Sequence, residues 1–295
     1  MSLSEISKSE NQQTGNKTPL KAAVIGWPIK HSRSPLIHGH WLNQYAINGT
    51  YEKIAVAPEN LETFIGKLKA ENLNGVNLTI PHKEQVFNLV DEITTDAKAI
   101  GAANTLWFEG DKLIAGNTDA YGFITHLKSS AKNWQNSHPA LVIGAGGAAR
   151  AIIHALIKED VPEIKLTNRT LSRAEELASN FGSKLKVIPW QDKETSLAEC
   201  SLVVNSSSLG MEGNPELELD LKNLQKTAVC YDIVYAPLMT TFLKNAQIQG
   251  ATPVDGLGML LHQAVPGFEK WFGTRPEVTT ELRQLIVDDL QKDQA

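Results

Sequence analysis

Cysteine is scarce in this chain and positive charge is not in excess, and both shortages narrow the classes of protein to which it can belong. The 295 residues include two cysteines, Cys200 and Cys230, each in an apolar run typical of a buried strand. An extracellular disulfide framework is therefore excluded, and a reducing cytosol is expected. Lysine and arginine number 28 against 33 aspartate and glutamate residues. We therefore predict no nucleic-acid partner and no anionic-membrane partner.

Long hydrophobic runs are also missing. No uncharged apolar stretch approaches the roughly 18 residues that a membrane span requires, so we expect no membrane partner. Residues 1–18 are polar and carry neither a signal-peptide pattern nor an arginine-rich amphipathic pattern. The sequence therefore predicts a disordered tail at 1–18 on a cytoplasmic protein.

What the chain does contain is a regular alternation of short β-branched runs with helical periods, which predicts an α/β fold. A length of 295 residues favours two domains. A turn from Glu109 to Lys112 predicts a hairpin near the end of the first domain. An apolar helix from Leu257 to Phe272, closed by Gly273, precedes a polar C-terminal helix. The predicted division is 19–119 for the first domain, 120–255 for a second, doubly wound domain, and 256–295 for the C-terminal helices.

A glycine-rich turn follows the buried run ALVI and precedes a helical run. This strand, turn and helix context fits the dinucleotide-binding pattern G-x-G-x-x-A. The first glycine permits the tight turn, the second lets the backbone approach a pyrophosphate, and the helix N-terminus offers unpaired N–H groups to the anion. A purely structural glycine turn is the alternative. The candidate cofactor-binding residues of this turn are Gly144, Ala145, Gly146, Gly147 and Ala148.

The end of the next predicted strand determines which nicotinamide cofactor fits. An acidic residue there would select the ribose 2′-hydroxyl of NAD, but the sequence has none. It has two arginines and two small polar residues, and the planar guanidinium group suits a 2′-phosphate. Two solvated arginines at a helix start are the alternative. The pattern favours NADP, with Asn168, Arg169, Thr170 and Arg173 as its candidate ligands.

Two segments of the first domain carry candidate substrate residues at the ends of strands. Ser32 and Ser34 place two hydroxyls on one side of an extended stretch, where they can hold a carboxylate. Alternatively, Ser34 is only the N-cap of a helix that starts at Pro35. Lys83 is predicted in the first turn of a helix, where its charge opposes the helix dipole, and this unfavourable placement suggests a function. An exposed lysine beside Glu84 is the alternative.

From about Pro19 to the final helices, the chain resembles the shikimate dehydrogenase family. The matching stretches are IGWPIKHSRSPLIH, NLTIPHKE, GAANTL, GNTDAYG, VIGAGGAAR, NRTLSRAEELA, YDIVYAPLMTTFL and GLGMLLHQA. The resemblance implies an N-terminal α/β substrate-binding domain and a Rossmann-type NADP-binding domain, with the active site in the cleft between them. The C-terminal helices would return to the substrate-binding domain.

The resemblance also implies roles for individual residues. Lys83 and Asp119 would be the catalytic pair, and the cofactor would also contact Ile233, Gly256 and Met259. The implied substrate-binding residues are Ser32, Ser34, Thr79, Lys83, Asn104, Asp119, Tyr235 and Gln263. Residue by residue, simpler roles stay open: Asn104 and Asp119 can be caps, Tyr235 a core residue and Gln263 a surface residue.

The implied function is the reversible NADPH-dependent reduction of 3-dehydroshikimate to shikimate, on the route to chorismate and the aromatic amino acids. The alternatives are a quinate/shikimate dehydrogenase that uses NAD and a catalytically silent NADPH-binding protein on the same fold. We expect no metal, because no carboxylate or cysteine cluster completes a ligand set with His31, His38 and His40. We expect a monomer or a homodimer.

Overall fold

The computed structural model describes residues 18–292, so the predicted tail lies outside the described residues except for Thr18. The described chain forms two six-stranded sheets with helices against their faces. Among the described residues no helix is long and apolar enough to cross a membrane.

The first sheet is mixed and has the strand order β2-β1-β3-β5-β6-β4. Strand β5 runs antiparallel to both of its neighbours, and the other pairs are parallel. The β5–β6 pair is the hairpin that the sequence predicts, with Glu109 opposite Lys112. The strands are β1 Leu20–Gly26, β2 Gly49–Ala55, β3 Gly75–Leu78, β4 Glu92–Ile93, β5 Thr105–Glu109 and β6 Lys112–Gly116.

The helices that follow strands of the first sheet begin close to the carboxyl ends of those strands. They are α1 Ser34–Gln44, α2 Leu61–Lys67, α3 His82–Gln85, α4 Thr95–Ile100 and α5 Asp119–Ser130. The prediction that Ser34 caps α1 is wrong by one position. Arg33 is the N-cap residue, Ser34 is the first helical residue, and Pro35 follows within the first turn. Proline is tolerated there because the first N–H groups of a helix have no partner within it.

The second sheet is entirely parallel, with the order β12-β11-β10-β7-β8-β9. This is the doubly wound dinucleotide-binding order, and the chain reverses direction across the sheet between β7 and β10. Ligands of such sheets bind outside the carboxyl ends of the strands at that point. The strands are β7 Ala140–Ile143, β8 Ile164–Thr167, β9 Leu185–Val187, β10 Leu202–Asn205, β11 Val229–Asp232 and β12 Thr252–Val254.

Five helices accompany or follow the second sheet, namely α6 Gly147–Lys158, α7 Leu171–Ser179, α8 Thr241–Ile248, α9 Leu257–Phe272 and α10 Thr280–Lys292. Helix α9 has the predicted bounds and ends at Gly273 in the left-handed conformation. It packs into the first sheet's core, where Phe268 contacts Trp41 and the Trp271 indole donates to the backbone oxygen of Leu106.

The two cysteines are buried and free. Cys230 lies within β11, whereas Cys200 lies in the turn before β10 rather than in the strand itself.

Candidate active site

A cavity of about 360 Å³ opens where the carboxyl ends of β1 and β3 face α9 and the loop after β11. All eight of the predicted substrate-binding residues line it, together with three of the predicted cofactor residues. The predicted residues at the cavity are Ser32, Ser34, Thr79, Lys83, Asn104, Asp119, Tyr235, Gln263, Ile233, Gly256 and Met259. They come from segments more than 200 positions apart, so the fold brings together side chains that the sequence separates widely.

Lys83 and Asp119 form an ion pair inside this cavity. The Lys83 Nζ lies 2.6 Å from the Asp119 Oδ2, and both side chains are largely shielded from solvent. Lys83 reaches the site from α3, just after β3 ends, and Asp119 is the first residue of α5 after β6. The second oxygen of Asp119 accepts from the Asn104 amide at 2.8 Å. Both carboxylate oxygens of Asp119 therefore have a hydrogen-bond donor.

Asn104 is buried and forms hydrogen bonds with Thr118, Asp119 and Gln263. Its Oδ1 accepts from the Thr118 backbone N–H at 2.8 Å, so its Nδ2 is free to donate. That amide nitrogen donates to Asp119 and lies 3.4 Å from the Gln263 Oε1 on α9. Asn104 thus does more than cap the hairpin, and Gln263 is half-buried rather than a surface residue.

Asn77 lines the same cavity and was not singled out from the sequence. It lies in β3 with 6% of its surface exposed. Its Oδ1 accepts from the Tyr51 hydroxyl at 2.6 Å, and its Nδ2 donates to the backbone oxygen of Asn104 and to the hydroxyl of Thr105. An asparagine within a buried strand is a polar group that needs partners, and that was the available signal in the sequence.

The two serines lie where the chain leaves β1 and enters α1. The Ser32 hydroxyl accepts from the Ser34 backbone N–H at 3.3 Å, which holds the turn. His31 and Arg33 from the same loop also line the cavity. Tyr235 is largely buried opposite this loop, and burial raises the pKa of its hydroxyl while the nearby Arg33 lowers it. Two hydroxyls on one side of a loop are an arrangement that can hold a carboxylate.

The glycine turn lies between β7 and α6, at the point where the strand order of the second sheet reverses. Gly144 has φ +108°, and a Cβ there would lie 2.9 Å from the Ser206 Oγ that follows β10. A Cβ at Gly146 or Gly147, in contrast, would meet no atom within 4 Å. The turn is therefore tight at its first glycine and open where α6 begins, which fits a pyrophosphate above the helix N-terminus.

The predicted 2′-phosphate residues surround the start of α7. Arg169, Thr170 and Arg173 are exposed, and neither arginine forms an ion pair with any residue between 18 and 292. The Asn168 amide donates to the Thr170 backbone oxygen at 2.8 Å and so shapes the turn. Two guanidinium groups near the end of β8, with no acidic partner among the residues that the structure describes, fit a phosphate group. In the described part of the chain, no group of three potential metal ligands occurs.

Three family models match the chain in the order of its elements. They are the shikimate dehydrogenase substrate binding domain over residues 24–106, shikimate / quinate 5-dehydrogenase over 126–234, and the shikimate 5′-dehydrogenase C-terminal domain over 256–282. A shikimate dehydrogenase (NADP(+)) of Brucella abortus (strain S19) is 50% identical over 275 residues, which is 92% of this chain and 95% of the relative. The chain belongs to the shikimate dehydrogenase family.

Solved structures agree with this family. A shikimate 5-dehydrogenase from Thermus thermophilus, in complex with NADP(H) and shikimate, has a TM-score of 0.80 at 33% identity. That match covers 92% of this chain and 99% of the other. A quinate dehydrogenase from Corynebacterium glutamicum, in complex with NAD, has a TM-score of 0.85 at 27% identity and covers 92% of this chain and 99% of the other. The fold is therefore shared by relatives that differ in substrate and cofactor.

The ranges that the family models match cover only part of the candidate site. Ser32, Ser34, Thr79, Lys83 and Asn104 fall within the first matched range. Asp119 falls between the first and second ranges, so its place in the candidate site rests on the 2.6 Å contact with Lys83.

Proposed function

We propose that this chain catalyses the reversible NADPH-dependent reduction of 3-dehydroshikimate to shikimate, on the route to chorismate and the aromatic amino acids. The observation that carries the proposal is the Lys83–Asp119 ion pair in the cavity. The Asn104 amide contacts both Asp119 of this pair and Gln263 on α9. Membership of the shikimate dehydrogenase family supports the same reaction.

In this proposal the substrate carboxylate lies against the hydroxyls of Ser32 and Ser34. The ring hydroxyls and the reacting oxygen face the other polar side chains of the cavity, which are Thr79, Lys83, Asn104, Asp119, Tyr235 and Gln263. Each of these groups can donate or accept a hydrogen bond, as a ring with several hydroxyls requires. A cavity with many partners fixes one orientation of the ring, and orientation is itself a large part of catalysis.

Lys83 is the proton donor in the reduction. As hydride adds to the ketone carbon, the electron pair of the C=O bond moves to oxygen, and the Lys83 ammonium gives that oxygen a proton. In the oxidation direction the neutral amine takes the proton from the alcohol. Asp119 holds the ammonium in place at 2.6 Å and Asn104 holds Asp119, so the proton-bearing nitrogen is positioned before substrate arrives.

NADPH supplies the hydride when it is bound. The residues that would hold it are those of the turn Gly144–Ala148, those around the start of α7, and Ile233, Gly256 and Met259 at the cavity. The open space at Gly146 and Gly147 supports this placement, and so do the guanidinium groups of Arg169 and Arg173, which form no ion pair with a described residue.

We also propose the division of the chain into a substrate-binding domain at 19–119, an NADP-binding domain at 120–255 and C-terminal helices at 256–295. We place the protein in the cytoplasm, which its free, buried cysteines support, as a monomer or a homodimer.

Absorbance of the reduced nicotinamide tests the proposed function directly. Purified protein with shikimate and NADP should produce NADPH, whereas quinate or NAD should give a much lower rate. A rate with quinate equal to that with shikimate would favour a quinate/shikimate dehydrogenase, and no turnover with any pair of substrates would favour a silent NADPH-binding protein.

A further inference from the structure

A second, larger cavity of about 1040 Å³ adjoins the proposed substrate site. Four residues, His31, Ser32, Arg33 and Tyr235, line both cavities. The two spaces therefore meet at the loop 27–33 between β1 and α1, which carries Ser32 and is called the serine loop below. This is the end of the site where the substrate carboxylate is placed.

Some of the charged side chains around this second cavity form ion pairs and others do not. Arg33 lies 2.8 Å from Asp289 of α10, so those two charges largely cancel. Lys30 and Lys53 are exposed, and neither forms an ion pair with a described residue. Glu212 is the remaining acidic group of the lining. The lining of the second cavity therefore has a net positive charge, although the protein as a whole carries a net charge of −5.

Lys53 is also joined mechanically to the serine loop. Its Nζ donates to the backbone oxygen of Lys30 at 2.9 Å, which ties the middle of β2 to the loop two residues before Ser32. Lys30 contributes its backbone to this contact and leaves its own ammonium exposed. The two lysines can therefore be separated by mutation, because replacing Lys30 removes a charge and keeps the contact.

We infer that Lys30 and Lys53 form a basic vestibule that selects anionic substrates and admits them carboxylate first, and that Lys53 in addition braces the serine loop. This inference rests on the proposed function for the position of the carboxylate. A positively charged entrance on an acidic protein attracts an anion locally, but it adds little to the affinity for a neutral ligand. The attraction must weaken as salt shortens the screening length from about 10 Å at 0.1 M to about 3 Å at 1 M.

The test measures shikimate affinity by calorimetry at low and high ionic strength, so that it does not depend on turnover. Lys30→Gln should weaken shikimate binding about twofold at low salt, and the Lys30→Gln, Lys53→Gln double variant about fivefold. In about 1 M salt the loss for Lys30→Gln should disappear, since only its charge was removed. Any loss of shikimate affinity that remains for Lys53→Gln at high salt measures the contribution of its hydrogen bond to the serine loop.

Two controls make the outcome decisive. Lys226→Gln removes one exposed positive charge outside both cavities and should leave affinity unchanged at every salt concentration. The methyl ester of shikimate carries no charge, and Lys30→Gln should not alter its binding. Equal shikimate affinity in wild type and the double variant at low salt would overturn the inference. So would a Lys30→Gln variant that loses as much affinity for the ester as for shikimate. Turnover of the same wild-type protein tests the proposed function separately.

Discussion

Lys83 belongs to a helix of four residues, followed by a 3₁₀ turn from Val86 to Asn88. The sequence suggested a helix dipole as the unusual feature of this lysine, but so short a helix has only a small dipole. The environment of Lys83 is instead determined by Asp119, 36 positions later in the chain. A contact over that distance follows from the order of strands in the first sheet, and local sequence does not contain it.

At this residue the first prediction concerns proton transfer. Lys83→Ala should lower kcat by a factor of about 10² to 10⁴ and change KM for shikimate far less, because the proton moves only in the transition state. Asp119→Asn should show the same pattern. Ser32→Ala is the comparison variant and should act mainly on KM, since a carboxylate contact is present in both ground and transition states. Steady-state kinetics decide the matter: a wild-type kcat in Lys83→Ala would reassign Lys83 to substrate binding.

Helices α5 and α9 carry Asp119 and Gln263 respectively, and a glycine on α5 allows these helices to approach closely. A Cβ on Gly122 would lie 2.7 Å from the Cβ of Gln263 and 2.8 Å from its backbone nitrogen. Gln263 reaches Asn104 from this contact. The spacing of two helices therefore determines part of the geometry of the site.

Gly122→Ala should accordingly force α5 and α9 apart. We expect a loss of about 1–3 kcal/mol in the free energy of unfolding and a weaker affinity for shikimate. Gly39→Ala is the matched control, since it also lies within a helix but a Cβ there meets no atom within 4 Å. Denaturant unfolding and calorimetry measure the two effects. Equal stability of the two variants would show that the helices adjust without cost.

The start of α7 is the element that should determine cofactor preference. Arg169 and Arg173 are exposed there without acidic partners among the described residues, so a 2′-phosphate would meet two available guanidinium groups. The Arg169→Ala, Arg173→Ala double variant should lose most of the preference for NADP over NAD. The measurement is kcat/KM for both cofactors, and an unchanged ratio in the double variant would remove these arginines from the cofactor site.

Across the whole molecule, several buried groups titrate away from their usual values. Burial lowers the pKa of His38 to about 3, although the Asn77 amide partly opposes it. Burial likewise lowers the pKa of His126 to about 4. Burial raises the pKa of Asp232 to about 6, against hydrogen bonds from Val234, Thr240 and Asn205. The two histidines destabilise the fold as the pH falls, because the unfolded chain binds protons at these side chains before the folded chain does. Asp232 has the opposite effect between about pH 3.8 and about pH 6, because there the folded chain binds the proton more tightly.

The His38 contribution can be isolated. Stability from this group is complete above an unfolded pKa of about 6.5 and falls as the pH approaches 3. Protonation of His38 in the unfolded chain should therefore lower the free energy of unfolding by about 2 kcal/mol between about pH 7 and pH 5. His38→Phe keeps a ring against Tyr51, whose centroid lies 3.9 Å away, and should flatten the pH dependence by that amount. His138→Phe, at an exposed position, should not. Parallel pH profiles for wild type and His38→Phe would contradict the assignment.

The sequence by itself determined many of the local elements, among them the glycine turn that we propose as part of the cofactor site. The hairpin, the bounds of α9 and the strand, turn and helix around Gly144 follow from local chemistry, because turns, caps and hydrophobic periodicity act over a few residues. The family motifs also contained the eight predicted substrate-binding residues that line the cavity, although Asn77 was not singled out.

Only the tertiary structure decided how those side chains meet. The Asn104 amide lies against Gln263, 159 positions later, and Asn77 joins the site from a buried strand. Lys30 and Lys53 become neighbours because β1 and β2 pair in parallel. Such contacts depend on strand order and helix spacing, which buried apolar area over the whole chain selects and which no local pattern records.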